Sequence, residues 1–412
     1  MAGLKTITLG CRLNTFESEV MREIGQDPSL KDTIVINTCA VTSEAERQAR
    51  QTIRRAARDN PHSKIIVTGC AAQLNPKIFS EMQEVDRVLG NEEKLGKALL
   101  SENGPTIQAK DIMSVKKIAP HSINGIKGQT RAFVQIQQGC DYRCTYCIIP
   151  FARGPNRSIP VDAVISQVRN LVTTGHNEIV LTGVDICSYS ADGASNLGSL
   201  VSRILYEVPD LKRLRLSSLD PASIDDTLIN LLGDDLRLMP HLHLSLQSMD
   251  DMILKRMKRR HTRSSVTAIV ARAVEARPDA VFGADLIAGF PTETEIMFNN
   301  TVTAIEELGI TYLHVFPFSP RPGTPAAKMP QVNSSIIRSR SAQLRAIGKI
   351  ELERFLTSRT GAIEQVLVEK NHQGLSQHFA LVKLDFEADP GVIVNARVTA
   401  IGDKFLIASR AA

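Results

Sequence analysis

Along the first third of the chain, short apolar runs alternate with longer stretches of helical periodicity. The segments 6–9, 33–36 and 64–68 read as strands. The amphipathic stretches 14–24 and 43–59, and another after Leu74, read as helices. Apolar strands alternating with helices predict a parallel sheet. A polar stretch with Gly and Pro, from Ser101 to Gly128, reads as a linker. Strand candidates then recur at 131–137, 178–182, 213–217, 241–246, 281–287 and 312–318, with helical stretches between them. Repeated strand–helix units of this kind predict a (β/α) barrel, complete or partial, with a doubly wound sheet as the alternative. After the helical run Ser334–Ser358 come β-rich segments at 363–369, 380–384, 392–400 and 404–408, separated by Gly and Asp-Pro-Gly turns. They predict a small all-β module. The expected fold class is α/β in three domains and a linker: an N-terminal parallel-sheet domain (1–110), a linker (111–127), a barrel core (128–355) and a C-terminal β-barrel (356–412).

Composition narrows the picture. Among the 412 residues, 43% are hydrophobic and 23% charged, which excludes intrinsic disorder. No run of about 18 apolar residues occurs, so a membrane span is not expected. The start of the chain lacks the apolar core of a signal peptide, so a cytoplasmic protein is expected. A net charge of +5 permits an RNA partner without demanding one. Aromatics are only 4%, with no Trp, which argues against a broad base-stacking surface. Seven cysteines in such a chain point to metal or thiol chemistry rather than to disulfides.

The cysteines fall into two sets. Cys140, Cys144 and Cys147 form CxxxCxxC just after the first strand of the expected barrel. Cys11, Cys39 and Cys70 each follow one of the first three strands. Ligand sites in α/β folds lie at the carboxyl ends of strands, so both sets stand where chemistry is expected. Three thiolates can wrap an inorganic cluster, although four usually hold an iron–sulfur cluster, so three would leave one iron open. A three-cysteine zinc site and incidental core cysteines are the competing readings of the compact set. For the dispersed set the competing reading is three buried structural cysteines. Cys187 has no partner spacing and reads as an ordinary thiol.

The motifs together resemble the radical S-adenosylmethionine (SAM) superfamily and, within it, the methylthiotransferase family. The resemblance is carried by Thr8-Leu9-Gly10-Cys11, Asn37-Thr38-Cys39-Ala40-Val41-Thr42, Val67-Thr68-Gly69-Cys70-Ala71, Gln138-Gly139-Cys140 and Cys144-Thr145-Tyr146-Cys147. Phe151-Ala152-Arg153-Gly154, His243-Leu244-Ser245-Leu246-Gln247-Ser248 and Gly289-Phe290-Pro291-Thr292-Glu293-Thr294 extend it over nearly the whole chain. The C-terminal module resembles a TRAM domain, a small RNA-binding β-barrel. Leu181-Thr182-Gly183-Val184, Leu216-Ser217-Ser218, the stretch 256–262 and the stretch 314–324 resemble the branch that acts on threonylcarbamoyladenosine at tRNA position 37. The branches acting on isopentenyladenosine and on a ribosomal protein are the alternatives. A non-catalytic, metal-stabilised RNA-binding protein is the reading from another class.

The resemblance implies two 4Fe–4S clusters and SAM as cofactors. Cys140, Cys144 and Cys147 would hold the cluster that cleaves SAM to a 5′-deoxyadenosyl radical, which abstracts hydrogen from C2 of the adenine. Cys11, Cys39 and Cys70 would hold an auxiliary cluster carrying the sulfur, and a second SAM would supply the methyl group. It further implies tRNA as partner, with no DNA and no membrane, and an electron donor such as flavodoxin or ferredoxin. In related enzymes the strand ends around Gly183, Gly283-Ala284-Asp285 and Gly289 contact SAM. Ser217, Ser218 and Gln247 are weaker candidates for the same pocket.

Two basic stretches read either as solvated faces or as phosphate contacts. One is 255–263, with six Lys/Arg in nine positions; the other is Arg47, Arg50, Arg54 and Arg58 on one helix face. The C-terminal module is electrically neutral, and its Phe379, Phe386 and Phe405 are expected mainly to fill its core.

Overall fold

The structure, a computed structural model, describes residues 4–27, 30–101, 104–118, 121–126, 128–370 and 372–411. The first three residues, on which part of the signal-peptide reading falls, lie outside the described residues, as do positions 102–103, 119–120 and 127 of the expected linker.

The N-terminal part is a five-stranded parallel sheet in sequential order: β1 (Lys5–Thr8), β2 (Thr33–Thr38), β3 (Lys64–Gly69), β4 (Arg87–Leu89) and β5 (Ile107–Gln108). Between the strands run α1 (Arg12–Ile24), α2 (Ser43–Asp59), α3 (Cys70–Leu74), α4 (Pro76–Ser80) and α5 (Lys97–Leu100). β2 is buried along its whole length, as its run of Ile and Val requires. Thr42 starts α2 by accepting from the backbone N–H of Ala45.

Helix α1 joins two cores. Its Met21 packs with Val35 and Ile66 of the sheet, whereas Phe16 and Val20 belong to the core of the next domain. Between these apolar positions the helix buries Asn14, Glu17 and Ser18, an unusual inner face whose use appears below. The segment expected as a linker buries Ile112, Ile123 and Ile126, the last two within the barrel core.

The central part has six parallel strands: β6 (Arg131–Gln135), then, after the short hairpin β7 (Gln137–Gln138) and β8 (Arg157–Ser158), β9 (Glu178–Thr182), β10 (Arg213–Leu216), β11 (His241–Gln247), β12 (Val281–Ala288) and β13 (Tyr312–Pro317). They form two three-stranded sheets. Isolated parallel bridges at Leu214–Leu238 and Leu219–Leu244 link them. The result is an open, partial barrel with β6 and β13 at its edges. Its helices are α6 (Ile149–Arg153), α7 (Val161–Thr173), α8 (Leu197–Glu207), α9 (Asp226–Asp234), α10 (Asp251–Met257), α11 (Arg263–Ala276), α12 (Glu295–Leu308) and α13 (Ser334–Ser358).

The C-terminal part is a closed five-stranded barrel: β14 (Ile363–Lys370), β15 (Gln373–Ser376), β16 (Leu381–Leu384), β17 (Ile393–Ile401) and β18 (Leu406–Arg410). β15 was not expected from the sequence. It is four residues long and contains Gly374, where a side chain would collide with the carbonyl of Leu367. The small barrel docks at the N-terminal ends of the large barrel's strands. Arg213 donates to the Gln365 carbonyl (2.6 Å), Arg215 to that of Gln377 (3.2 Å), and Arg131 pairs with Glu369 (2.9 Å).

Phe379 departs from the sequence expectation. It does not fill the small barrel's core but projects from it in a left-handed conformation (φ 70°) and stacks on His241, with ring centroids 4.9 Å apart. Three guanidinium groups surround its ring, those of Arg12, Arg131 and Arg215. Phe386 does pack against the small core, under Arg410, and Phe405 lies beneath Lys383.

Candidate iron–sulfur and substrate site

The dispersed cysteines gather because glycines permit it. Gly10 has φ +98°, and a side chain there would fall 2.7 Å from Cβ and 2.9 Å from Sγ of Cys39. Gly69 has φ +96°, with the carbonyl of Thr38 only 2.3 Å from where its Cβ would be. Only glycine tolerates both the conformation and the approach. Cys11, Cys39 and Cys70 therefore share one end of the sheet, where each is close enough to act on another's ionisation. Cys140, Cys144 and Cys147 form a second mutually interacting set, and Cys147 also feels Cys70. The two sets thus stand near one another, and Val41 and Thr42, just after Cys39, line the same cavity as Cys147.

The donor sets fit clusters better than single ions. Among the described residues, the only His/Cys/Asp/Glu trio whose ligand atoms lie within 4.8 Å of one another is His243, Asp285 and His314. Neither cysteine set closes that far. Thiolates on one zinc ion, bound at about 2.3 Å each, must approach more closely than that. A cluster of several iron atoms spaces its thiolate ligands more widely than a single ion does. Burial pushes the thiols of Cys140 and Cys147 up to about 12 and that of Cys39 up to about 11. Loading iron there must displace protons. Cys187, by contrast, lies in the barrel core, where burial raises its thiol strongly.

Each set has an arginine on one of its sulfurs. Arg153 places Nε 3.2 Å from Sγ of Cys70, and Arg259 places an N–H group 3.9 Å from Sγ of Cys144. Both are held from behind. Arg153 donates to both carboxylate oxygens of Glu17 (2.7 and 3.1 Å), and Lys94 donates to the same carboxylate at 2.6 Å. All three side chains are buried. Burial alone would raise the Glu17 carboxyl, but the two cations override it and hold it at about 2. Arg259 is anchored by Asp220 (3.1 Å) and the Ser245 carbonyl (2.8 Å).

The sequence reading missed this layer. Its signal was the polar triplet Asn14, Glu17 and Ser18 on the inner face of α1. The basic stretch 255–263 is corrected in part. Arg256 bonds Thr292 and Arg259 faces Cys144, so these two are internal supports, not a solvated face. On α2, Arg47 pairs with Glu44, Arg58 with Asp59 and, more distantly, Arg54 with Glu84 (3.8 Å), all three arginines being exposed.

A cavity of about 270 Å³ lies beside Cys147, lined by Tyr146, Gln247, Asp285 and Phe316 of the barrel and by Val41 and Thr42 of the sheet domain. Of the residues weighed for the SAM pocket, Gln247 and Asp285 reach this cavity. Gly183 packs against Gln137 and Ile186, and Gly289 against Ile337. Ser217 is buried, with its N–H on the Leu181 carbonyl, and Ser218 is half-buried. Behind the cavity, one oxygen of Asp285 bonds both His243 (3.0 Å) and His314 (3.2 Å), which hold this carboxyl well below its usual range against the effect of burial.

A partial parallel barrel with CxxxCxxC after its first strand defines a radical SAM protein. Residues 134–305 match the radical SAM superfamily, and residues 4–90 match a family described as uncharacterized protein family UPF0004. A radical SAM methyltransferase from Kitasatospora setae shares the fold, with a TM-score of 0.53 at 16% identity, over 72% of this chain and 64% of that one. Over 402 residues the chain is 48% identical to threonylcarbamoyladenosine tRNA methylthiotransferase MtaB of Rickettsia prowazekii, covering 97% of this chain and 96% of the relative. It is 33% identical to the protein of that name in Aquifex aeolicus, over 95% and 98%. A tRNA-2-methylthio-N(6)-dimethylallyladenosine synthase of Erythrobacter litoralis is 34% identical, over 88% and 85%. The chain belongs to the radical SAM methylthiotransferase family, whose members use SAM and 4Fe–4S clusters. No helix among the described residues is long and apolar enough to cross a membrane.

Proposed function

We propose that this protein methylthiolates C2 of N6-threonylcarbamoyladenosine at position 37 of tRNA. In this reading Cys140, Cys144 and Cys147 hold the SAM-cleaving cluster, and Cys11, Cys39 and Cys70 hold the auxiliary one. The observation that carries it is that two three-thiol sets stand together: Val41 and Thr42, just after Cys39, line the same cavity as Cys147, and Arg153, six residues after Cys147, bonds Sγ of Cys70 at 3.2 Å. Radical formation needs one such set; inserting sulfur needs a second.

The clusters and SAM, when bound, supply the radical, sulfur and methyl chemistry that side chains lack. The chain's own residues position and protect. Gly10 and Gly69 let the sheet thiols converge, and Arg153 and Arg259 donate to the sulfurs of Cys70 and Cys144, which would stabilise the negative charge of clusters held there. The cavity beside Cys147, lined by Tyr146, Gln247 and Asp285, offers room for a small molecule next to the compact thiol set.

We read the chain as a sheet domain (1–110), a linker (111–127), a radical SAM core (128–355) and a TRAM-like barrel (356–412). The substrate sets the place of work in the cytoplasm, and an electron donor such as flavodoxin or ferredoxin serves the reaction. Nucleoside mass spectrometry on tRNA from cells with and without the gene tests the proposal. Loss of the 2-methylthio derivative with accumulation of its threonylcarbamoyl precursor supports it. Loss of the isopentenyl analogue instead, or an unchanged tRNA profile, refutes it.

A further inference from the structure

Arg12 follows Cys11 directly and opens α1, yet its side chain does not turn to the surface. It is half-buried at the seam of the two barrels, with Cζ 5.7 Å from the centre of the Phe379 ring. Arg131, Arg215, Glu178 and Asp285 all lie within electrostatic reach. Asp285 in turn lines the cavity beside Cys147.

The other charges here are matched. Arg131 pairs with Glu369 at 2.9 Å, and Arg213 and Arg215 share Glu178 at 3.5 and 2.8 Å. Asp285 is occupied by His243 and His314. Arg12 alone in this group has no hydrogen-bond acceptor and no carboxylate at ion-pair distance among the described residues. A guanidinium largely withdrawn from water without a counter-ion is costly, and an arriving anion offsets that cost. Its planar fork suits a carboxylate in particular.

We propose that Arg12 is a specificity-determining residue that receives the carboxylate of the threonylcarbamoyl group when adenosine 37 enters the barrel. The inference rests on the substrate reading above and deepens it. A threonylcarbamoyl group carries one carboxylate; an isopentenyl group carries none and would leave Arg12 buried and unpaired. The same cation that attracts one substrate therefore rejects the other. Phe379 offers its ring to the guanidinium at 5.7 Å, and the fixed charges of Arg131 and Arg215 add to the positive field.

The test measures binding of anticodon stem-loop RNA to the cluster-loaded protein. Three RNAs are compared: one with threonylcarbamoyladenosine, one with its methyl ester, and one with isopentenyladenosine. Wild type is expected to favour the free acid over the ester by about tenfold or more. Arg12→Gln should bring that ratio to roughly one, and Arg12→Lys should restore part of it, because a point charge replaces the fork. Each ratio is taken within one preparation, so incomplete loading or partial unfolding of a variant cancels. A wild-type ratio near one overturns the inference, as does an Arg12→Gln ratio equal to wild type. Turnover by wild type separates the two levels of the argument. If it converts the isopentenyl RNA and not the threonylcarbamoyl RNA, the substrate reading has failed. If it converts the threonylcarbamoyl RNA but does not distinguish acid from ester, only the role of Arg12 has failed.

Discussion

The Nε of Arg153 lies 3.2 Å from the Sγ of Cys70, a residue 83 positions earlier in the chain and in another domain. Arg153 ends the short helix α6, which begins two residues after Cys147. One guanidinium thereby ties the segment carrying one cysteine set to a thiol of the other. Through Glu17 it is also tied to α1, the helix that starts beside Cys11.

Replacing Arg153 should act mainly on the auxiliary set. In Arg153→Met, Cys70 loses its donor and Glu17 keeps Lys94 as its one cation. We expect lower iron content, continued formation of 5′-deoxyadenosine, and a drop of at least about tenfold in methylthiolated product, as for other supports of metal ligands. Iron analysis and product mass spectrometry check this. Equal loss of SAM cleavage would show that the two sets are not separable through this residue.

Glu17 predicts a pH dependence. Its folded-state pKa is about 2, below the ordinary carboxyl value of 4.5. A depressed carboxyl contributes stability that is present above the unfolded-state pKa and lost as pH falls through the folded one. Glu17→Gln should destabilise the metal-free protein by about 3 kcal/mol near neutral pH, because Lys94 and Arg153 are left buried without their anion. The difference from wild type should shrink as pH falls from 4.5 towards 2. Urea midpoints across that range provide the measurement.

The two cysteine sets should separate cleanly. Cys144→Ala should abolish SAM cleavage. Cys39→Ala should leave cleavage in place while ending methylthiolation. Assays of 5′-deoxyadenosine and of modified nucleoside on the same samples test this division. Intact cleavage in the first variant, or lost cleavage in the second, would contradict it.

Phe379 should act as a fastener between the two barrels. Phe379→Ala removes the stack on His241 and the ring beneath three arginines. Truncating such a ring costs about 3 kcal/mol, and thermal unfolding should show the loss. Unchanged stability would mean that the polar contacts of the interface, from Arg131, Arg213, Arg215, Tyr312 and His378, hold it without the ring.

Arg50 and Arg54 on α2 offer a test of RNA contact by charge. If both meet phosphates, the double alanine variant should flatten the log–log salt dependence of tRNA binding by roughly 1.5 to 2. An unchanged slope would assign them to a solvated face.

The sequence by itself determined the order of most elements, though not β15, and the three clustered thiols, because both are local properties. Apolar runs and helical periods are read within a dozen residues, and CxxxCxxC lies on one loop. Cys11, Cys39 and Cys70 were legible too, since each ends a strand and parallel strands bring their ends together. Only the tertiary structure decided what stands behind the cysteines. Arg153 reaches Cys70 and Glu17, and Arg259 reaches Cys144 and Asp220, across separations that no local spacing encodes. The same holds for Phe379, an ordinary core aromatic in its own segment, which docking of the two barrels turns outward onto His241. Arg12 follows the same rule. In sequence it is one of many arginines, and it becomes distinctive only because the fold carries it out of water and gives the neighbouring carboxylates to other cations.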